Sequence, residues 1–358
     1  MMGKRKDEMI KEIELLMHTT SCITAFQTAV IKTLRATISF QNVCFTTVDP
    51  YTLLSTGAYT DERIERIHHQ LFMNEYDEQD YNRHEELVKH VPHVASLSKA
   101  TCGNLMKSNR YRNILKLAGL GDELRVAFVY KGKCWGFLSL FRNEEEPFFS
   151  EEDCTYLISI MPAIAKVLRV KSMMIPITKE WSMIKTGMIV VNDYFQPSFL
   201  NKGGKEWLSL LQKWEGLQDG DLPRPVRAVC SRVASPNALG DVAKICMYTP
   251  DRQIVMIKAS KMTGNHNQVC YTVSFERAQQ EDIFHLLAEG YDFSVREKQV
   301  VERVMKGEST KQIAIYLNMS TYTVQDHLKS IFAKVGIGSR NELVWELFLK
   351  HSILYEVE

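Results

Sequence analysis

Serines divide the last seventy residues of this 358-residue chain into short segments. Three of them are followed at the third position by Glu or Gln, in the pairs Ser294–Glu297, Ser309–Gln312 and Ser339–Glu342. A hydroxyl at a helix N-cap and a carboxylate or amide three residues later satisfy backbone N–H groups reciprocally, so the pattern indicates helix starts. With a further helix starting at Ser320, the sequence predicts four short helices and an all-α fold over residues 292–350.

The apolar residues of this region fall on one face of each predicted helix. Ile313, Ala314 and Leu317 point inward in the second, and the third has a stripe of Val324, Leu328, Ile331 and Val335. This spacing of four, three and four residues is that of a helix with one buried side. Between the two helices lies Asn318, a residue that tolerates the left-handed conformation of a tight turn. The pattern is therefore that of a helix-turn-helix.

The opposite face of the third helix has an unusual composition for a solvated surface. It presents Tyr322, Gln325, Asp326 and Lys329, with Lys334 beside them. Gln can bond adenine bidentately, Asp can accept from cytosine, and Lys can contact guanine or phosphate. A solvated face is the simpler interpretation for an isolated helix. Within a complete four-helix pattern we expect instead that this face lies in the major groove of DNA.

The stretch "FSVREKQVVERVMKGESTKQIAIYLNMSTYTVQDHLKSIFAKVGIGSRNELV" resembles the DNA-binding domain of the LuxR/GerE family. It departs from the family pattern at Val295, where proline is common, and at Asn318, where glycine is common. The residues that carry the resemblance include Arg296-Glu297, Gly307, Lys311, Ile313-Ala314, Leu317, Ser320, Thr323-Val324, His327, Lys334, Gly336 and Ser339-Arg340. The DNA-binding residues that it implies are Thr310, Lys311, Ser320, Thr321, Tyr322, Thr323, Gln325, Asp326, His327, Lys329, Lys334 and Arg340.

The charge of this region predicts a dimer on DNA. Residues 292–350 hold nine Lys or Arg and seven Asp or Glu, a net charge of +2, so one copy has little electrostatic affinity for phosphate. The fourth helix, Ser339–Lys350, is the predicted dimer interface because it carries an apolar excess of Val344, Trp345, Leu347 and Phe348. The expected partners are therefore a pseudo-palindromic operator in double-stranded DNA, a second copy of the chain, and RNA polymerase.

Residues 10–171 have the composition of an α+β domain. A strand at "NVCFTTVD" and a helix at "DERIERIHHQLFMNEYD" precede two β-rich runs joined by Lys131-Gly132-Lys133, a hairpin signal. A hydroxyl and a carboxylate at Ser150 and Asp153 then start a helix that runs to about Lys171. This order of elements is similar to a GAF domain, which implies a small-molecule sensor whose ligand residues the resemblance leaves unknown.

A second α+β pattern occupies residues 180–277. Strands at Met188–Asn192 and after the turn Asp193-Tyr194-Phe195 precede a helix near Asn201, and three further strands follow. The arrangement is similar to the opening of a PAS domain. Residues 278–291 start as a polar segment that merges into a helix, and they are interpreted as the connector through which the sensor half restrains the helix-turn-helix domain.

Composition excludes several other classes of protein. No apolar run approaches the ~18 residues of a membrane span, and the N-terminus has no signal-peptide core. Eight scattered cysteines without a C-x-x-C pair favour a reducing cytoplasm and predict neither a disulfide framework nor zinc. The histidines at 68, 69, 84, 90 and 93 match no common ligand spacing and are predicted to be surface or loop residues.

The predicted function is a sequence-specific transcriptional regulator without catalytic residues, metal or cofactor. Two alternatives stay open. One is a GAF-fold, thiol-dependent reductase with a DNA-binding appendage, for which Cys102 and Cys134 would be the thiols, although buried small apolar residues are the simpler interpretation of both. The other is a constitutive DNA binder whose front half only dimerises. The interior of the 10–171 domain separates them, since a sensor needs an apolar cavity with a few polar groups.

Overall fold

The computed structural model describes residues 2–77, 79–172, 186–218, 220–236, 240–249, 254–265, 268–278 and 280–349. They form two compact units, one containing two five-stranded sheets and the other containing the helices that follow residue 277. Each unit is described by itself. No helix in the described part of the chain is long and apolar enough to cross a membrane.

The first sheet domain surrounds one antiparallel sheet with helices on both faces. Its helices are α1 (Met2–Thr19), α2 (Ile23–Arg35), α3 (Glu62–Asp77), α4 (His84–Lys89), α5 (Leu97–Ala100) and α6 (Glu151–Lys171). Its strands are β1 (Asn42–Val48), β2 (Ser55–Thr60), β3 (Val94–Ser96), β4 (Leu120–Tyr130) and β5 (Lys133–Asn143), paired in the order β2-β1-β5-β4-β3. The hairpin and the Ser150 capping box both form where the sequence predicts them.

Strand alternation divides this domain into two layers of side chains. Phe45, Val126 and Leu138 point toward α1, α2 and α6 and form the larger apolar core. Phe137 and Phe141, on the other face, belong to smaller clusters, and the helix α3 runs over this side. The smaller, more polar side is the one that encloses the cavity described below.

The second sheet domain repeats the strand order of the first. Its strands β6 (Gly187–Asn192), β7 (Pro197–Leu200), β8 (Val242–Tyr248), β9 (Ile254–Thr263) and β10 (Val269–Arg277) lie in the order β7-β6-β10-β9-β8. Its helices are α7 (Lys202–Glu215) and α8 (Arg224–Ala234). Gly203 and Gly204 are required where α7 meets β6, since a Cβ at Gly204 would lie 2.3 Å from the Met188 carbonyl oxygen.

The second unit is helical throughout its described residues. Its elements are α9 (Gln280–Gly290), α10 (Val295–Met305), α11 (Thr310–Tyr316), α12 (Thr321–Val335), α13 (Arg340–Val344) and a π-helical turn at Trp345–Leu349. Ser294 and Ser309 form complete capping boxes, and Asn318 has a φ of 51°. At Ser339 the Glu342 carboxylate instead accepts from the Gly338 N–H, at 2.9 Å.

The predicted connector 278–291 merges into a helix, as its sequence indicates. This helix is α9, whose Ile283, Phe284, Leu287 and Ala288 are buried at helical spacing. One segment differs from its sequence interpretation. The predicted fourth helix changes to a π-helical turn after Val344, and its Lys350 lies outside the described residues.

Candidate nucleic-acid interface and ligand cavity

The helix α12 has one buried and one exposed face. Val324 and Ile331 are fully buried, as the apolar stripe predicts, and they pack α12 into the helical unit. On the opposite face Tyr322 is 78% exposed, and Gln325 has no side-chain partner among the described residues. Asp326 and Lys329 are also exposed, and their Nζ–Oδ1 distance of 3.7 Å makes a weak, solvated pair. The polar groups of this face are therefore available to an external ligand.

Hydroxyl groups cap the N-terminus of α12. The Ser320 Oγ accepts from the Thr323 N–H at 3.0 Å and lies 2.9 Å from the Thr323 Oγ1. Thr321 and His327 are half-buried at the edges of the exposed face. Thr310 and Lys311 lie in the first turn of α11, with Lys311 exposed. The structure thus gives Ser320 and Thr323 a capping role in addition to the DNA contact that the sequence predicts.

Two of the predicted DNA-binding cations bond to the protein itself. The Lys334 Nζ lies 2.6 Å from the Glu297 Oε2 and donates to the Asp292 carbonyl at 2.9 Å. The Arg340 guanidinium donates to the carbonyl of Glu308. These bonds join α12 to the start of α10, and α13 to the end of the α10–α11 loop. Contact of either side chain with DNA stays a prediction.

Glu297 has a second role that its position in a capping box did not indicate. Besides the Ser294 N–H, its carboxylate accepts from the Ser330 hydroxyl at 2.6 Å and pairs with Lys334. Burial would raise the pKa of this carboxyl, but hydrogen bonds from Lys334, Ser330 and Ser294 lower it to about 2. Sequence reasoning missed this junction because Lys334 is 37 residues away.

The predicted dimer interface is smaller than the sequence suggested. Leu347 is fully buried within its own unit, as is Leu343, whereas Trp345 is 48% exposed. The side chain of Phe348 lies outside the described residues. Part of the apolar excess therefore fills the core of the helical unit itself.

A cavity of about 50 Å³ lies between the sheet of the first domain and α3, and the empty space amounts to about 540 Å³ when open solvent at its mouth is included. Its apolar wall is Val48, Leu53, Leu71, Phe72, Phe137 and Phe141. Its polar wall is Cys44, Thr46, Ser55, His68, Glu75, Tyr76, His84, Glu123, Arg125 and Ser139. This combination of apolar surface with convergent polar groups is that of a small-molecule site.

The charged groups of the cavity are bonded to one another. The Arg125 Nε lies 2.8 Å from Glu123, and its Nη1 lies 2.8 Å from Glu75. Behind them the fully buried Arg110 lies 2.9 Å from Glu123. Burial would raise the pKa of Glu75, but His84, Arg125 and Arg110 lower it to about 2. At neutral pH two carboxylates therefore balance two guanidinium groups.

Two histidines predicted at the surface line this cavity instead. His68 is buried on α3, on the face it shares with Leu71, Phe72 and Glu75, and burial lowers its pKa well below the ordinary value. The ring of His84 stacks on Phe137 with centroids 4.0 Å apart. The prediction is wrong for both because it tested their spacing only for metal ligands. The position of His68 in an apolar stripe was the available signal.

The second sheet domain contacts α3 and α4 through polar side chains. Arg232 lies 2.8 Å from Glu85, the Ser235 hydroxyl donates to the Tyr76 carbonyl at 2.9 Å, and the Arg227 Nη1 lies 3.3 Å from the His68 Nδ1. The cavity-lining helix α3 therefore bonds to α8 and the residue that follows it.

The cysteines differ from one another in a way that the sequence did not resolve. Cys134 is buried, as predicted, and burial raises its pKa to about 12, which disfavours the thiolate. Cys102 is exposed, so the prediction of burial is wrong for it. It occupies a tight left-handed turn with a φ of 54°, ahead of Gly103. Among the described residues no group of three or more His, Cys, Asp or Glu is arranged to hold a metal ion.

Comparison with known proteins identifies the family that the helical unit resembles in sequence. Residues 280–347 match the GerE family model, bacterial regulatory proteins of the luxR family. The chain is 43% identical over 58 residues to a proposed HTH-type transcriptional regulator in the exeN 3′ region of Aeromonas salmonicida, covering 16% of this chain and 29% of that protein. It is 43% identical over 51 residues to the monoamine regulon transcriptional regulator of Klebsiella aerogenes, covering 14% and 22%. The chain thus spans less than a third of the length of either relative.

Solved structures match longer parts of the chain, but with low sequence identity and low TM-scores. SdiA of Escherichia coli has 11% identity and a TM-score of 0.35, over 98% of this chain and 99% of its own. The VqmA dimer of Vibrio cholerae has 14% identity and a TM-score of 0.21, over 48% and 89%. Scores this low support no inference about the first unit. The sequence match, together with the helix α9 and the capped helices α10–α13, shows that the chain carries, over residues 280–347, a helix-turn-helix domain of the luxR family of bacterial regulatory proteins.

Proposed function

We propose that this protein is a sequence-specific, DNA-binding transcriptional regulator that responds to a small molecule. The observation that carries the proposal is the exposed face of α12, where Gln325, Asp326 and Lys329 are free to meet base edges. Both curated relatives that match this region are described as transcriptional regulators. The recognition helix enters the major groove, and Ser320 and Thr323 fix its start.

The regulator acts as a homodimer on a pseudo-palindromic operator. One recognition helix supplies few base contacts, and the domain has only a small positive charge, so two copies are needed for tight binding. The exposed Trp345 is the main apolar anchor of this interface. RNA polymerase is the further partner through which the bound dimer acts on transcription.

The cavity beside α3 is the sensor site of the proposed regulator. It lies in the domain similar to a GAF module, and the second, PAS-like domain bonds to the helix that forms its wall. The cavity supports a sensor over the alternative in which the front half only dimerises, because a scaffold needs no polar cavity. The high pKa of Cys134 weighs against the thiol-dependent reductase as far as this residue is concerned.

The test is selection of DNA from a random library with the full chain, followed by footprinting of the enriched sites. We expect two half-sites centred about one helical turn apart. Enrichment of no sequence contradicts specific binding, and protection of a single half-site at full affinity contradicts the dimer.

Control by the sensor half is tested by comparing the full chain with residues 278–358 on the same operator. The fragment should bind at least as tightly, since it lacks the proposed restraint. A fragment that folds but binds no DNA at low salt contradicts a DNA-binding domain that works independently of the sensor half.

A further inference from the structure

His84 lines the cavity, and one of its ring nitrogens makes no hydrogen bond to the described protein. Its Nε2 is buried and has no hydrogen-bond partner among the described residues, although the residue lines the cavity. Its other nitrogen, Nδ1, lies 3.6 Å from the Glu75 Oε1. Stacking on Phe137 at an interplanar angle of 15° holds the plane of the ring. A buried polar atom without a partner costs free energy, which a ligand that supplies the missing bond recovers.

The protonation of the ring follows from its surroundings. Burial lowers the pKa of His84 to about 4, so the imidazole is neutral near pH 7. A neutral ring carries one proton, and the carboxylate of Glu75 favours its placement on Nδ1. Nε2 is then a lone-pair acceptor, and its partner has to be an N–H or O–H group.

The balance of charges restricts the ligand further. Glu75 and Glu123 are both paired with Arg125, and Arg110 also pairs with Glu123. No charged group among the described lining residues is left to neutralise an ionised ligand. Burial of an unpaired charge beside this network is unfavourable, so the site discriminates against anions and cations alike.

We propose that the cavity binds an uncharged molecule with an apolar or aromatic body and one N–H or O–H group that donates to the His84 Nε2. The apolar body lies against Phe72 and Phe137, and the donor group points toward α4. This inference rests on the proposed sensor function and specifies its ligand class.

The experiment uses three probes of matched shape, 4-butylphenol, 4-butylanisole and 4-butylbenzoate, in equilibrium dialysis against the full chain at pH 7 without DNA. The phenol is neutral and donates, the anisole is neutral and cannot donate, and the benzoate is an anion. We expect the phenol to bind about tenfold more tightly than the anisole, the difference that one hydrogen bond makes, with the benzoate weakest.

Variants locate the effect on the His84 ring. His84→Phe keeps an aromatic ring over Phe137 and should reduce the preference for phenol over anisole to about onefold while anisole affinity is retained. His90→Phe, at an exposed histidine just after α4, should leave the tenfold preference unchanged. Leu71→Trp fills the cavity and should abolish binding of all three probes in a chain that circular dichroism shows to be folded.

Three results overturn the inference: equal binding of phenol and anisole, tightest binding of the benzoate, or a preference for phenol that survives His84→Phe. If His84→Phe is unfolded, His84→Asn is used, which should lower the preference for the phenol. If the chain selects operator DNA but does not prefer the phenol, only the proposed ligand class is contradicted. If it prefers the phenol but selects no DNA, only the proposed regulatory function is contradicted.

Discussion

The exposed face of α12 and the wall of the cavity are both polar surfaces, but their side chains are committed differently. On α12, Gln325 and Tyr322 make no bonds to the protein, and solvent covers them. In the cavity Arg125 and Glu123 are bonded to each other, and the His84 Nε2 is a buried ring nitrogen without a hydrogen-bond partner among the described residues. A surface that contacts a varied sequence of bases needs several free groups, whereas a cavity for one small molecule can specify it with a single free acceptor. For the same reason, substitutions in the wall of the cavity and on the exposed face of α12 are expected to have different effects.

The largest expected effect follows loss of the shared cation of the cavity. Arg125→Met leaves Glu75 and Glu123 without it, and we expect the free energy of unfolding of the first unit to fall by about 3–5 kcal/mol. Urea unfolding of the full chain monitored by circular dichroism measures this. Lys329→Met on the exposed face of α12 is the matched control and should change stability by less than about 0.5 kcal/mol. An equal fall in the free energy of unfolding for both variants would contradict the difference between the cavity and the exposed face of α12.

The second expected effect is a dependence on pH within the helical unit. The pKa of Glu297 is about 2 in the folded protein, against an ordinary value of 4.5. The stabilisation is therefore complete above about pH 4.5 and is lost as pH falls toward 2, on the order of 2 kcal/mol in total. Urea unfolding of residues 278–358 at a series of pH values should show this slope. Glu297→Gln should flatten it, and a slope that persists in this variant would assign the dependence to other carboxyls.

The third expected effect concerns the bases themselves. Gln325→Ala should weaken binding to the selected operator by about 1–3 kcal/mol and relax the preference at one base pair, because a bidentate contact is lost. Binding to single-base variants of the operator measures both. Lys329→Ala should do the same if its ammonium contacts guanine. If it contacts phosphate, affinity should fall equally for all sequences and its salt dependence should become shallower. Equal losses on operator and random DNA for Gln325→Ala would leave this face a solvated one.

The smallest expected effect tests the turn that sets the angle of α12. Asn318 has a φ of 51°, so Asn318→Ala should cost about 1 kcal/mol of stability in residues 278–358, since a left-handed alanine is strained. Asn318→Gly should stay within about 0.5 kcal/mol of the wild type because glycine adopts this conformation readily. Thermal unfolding of the wild-type fragment and the two variants measures these differences. If Asn318→Ala is as stable as the wild type, the turn relaxes to a conformation that alanine adopts without strain.

The features that the sequence predicts correctly depend on residues close together in the chain. The capping boxes at Ser294 and Ser309 and the buried stripe of α12 depend on residues within a few positions of one another, and they form as predicted. The Lys131-Gly132 hairpin turn is equally local, and both residues have a positive φ as a tight turn requires.

The cavity could not be predicted in this way because its parts are distant along the chain. Arg125 meets Glu75 across 50 residues, and Glu297 meets Lys334 across 37. The exposure of Cys102 depends on the same long-range packing, since no local pattern fixes its environment, whereas the burial of His68 could have been read from the apolar stripe of α3. Nothing local in the sequence links the members of such pairs.

The two glycines of α7 give the second sheet domain two kinds of helix contact. Gly203 and Gly204 bring the backbone of α7 against β6, so any shift of this helix across its sheet meets backbone atoms directly. The helix α8 instead meets α3 and α4 through the long side chains of Arg227 and Arg232, whose torsions can absorb a change of angle. A change in the position of α3 would therefore be absorbed by side-chain torsions at α8, whereas α7 has no such tolerance against β6.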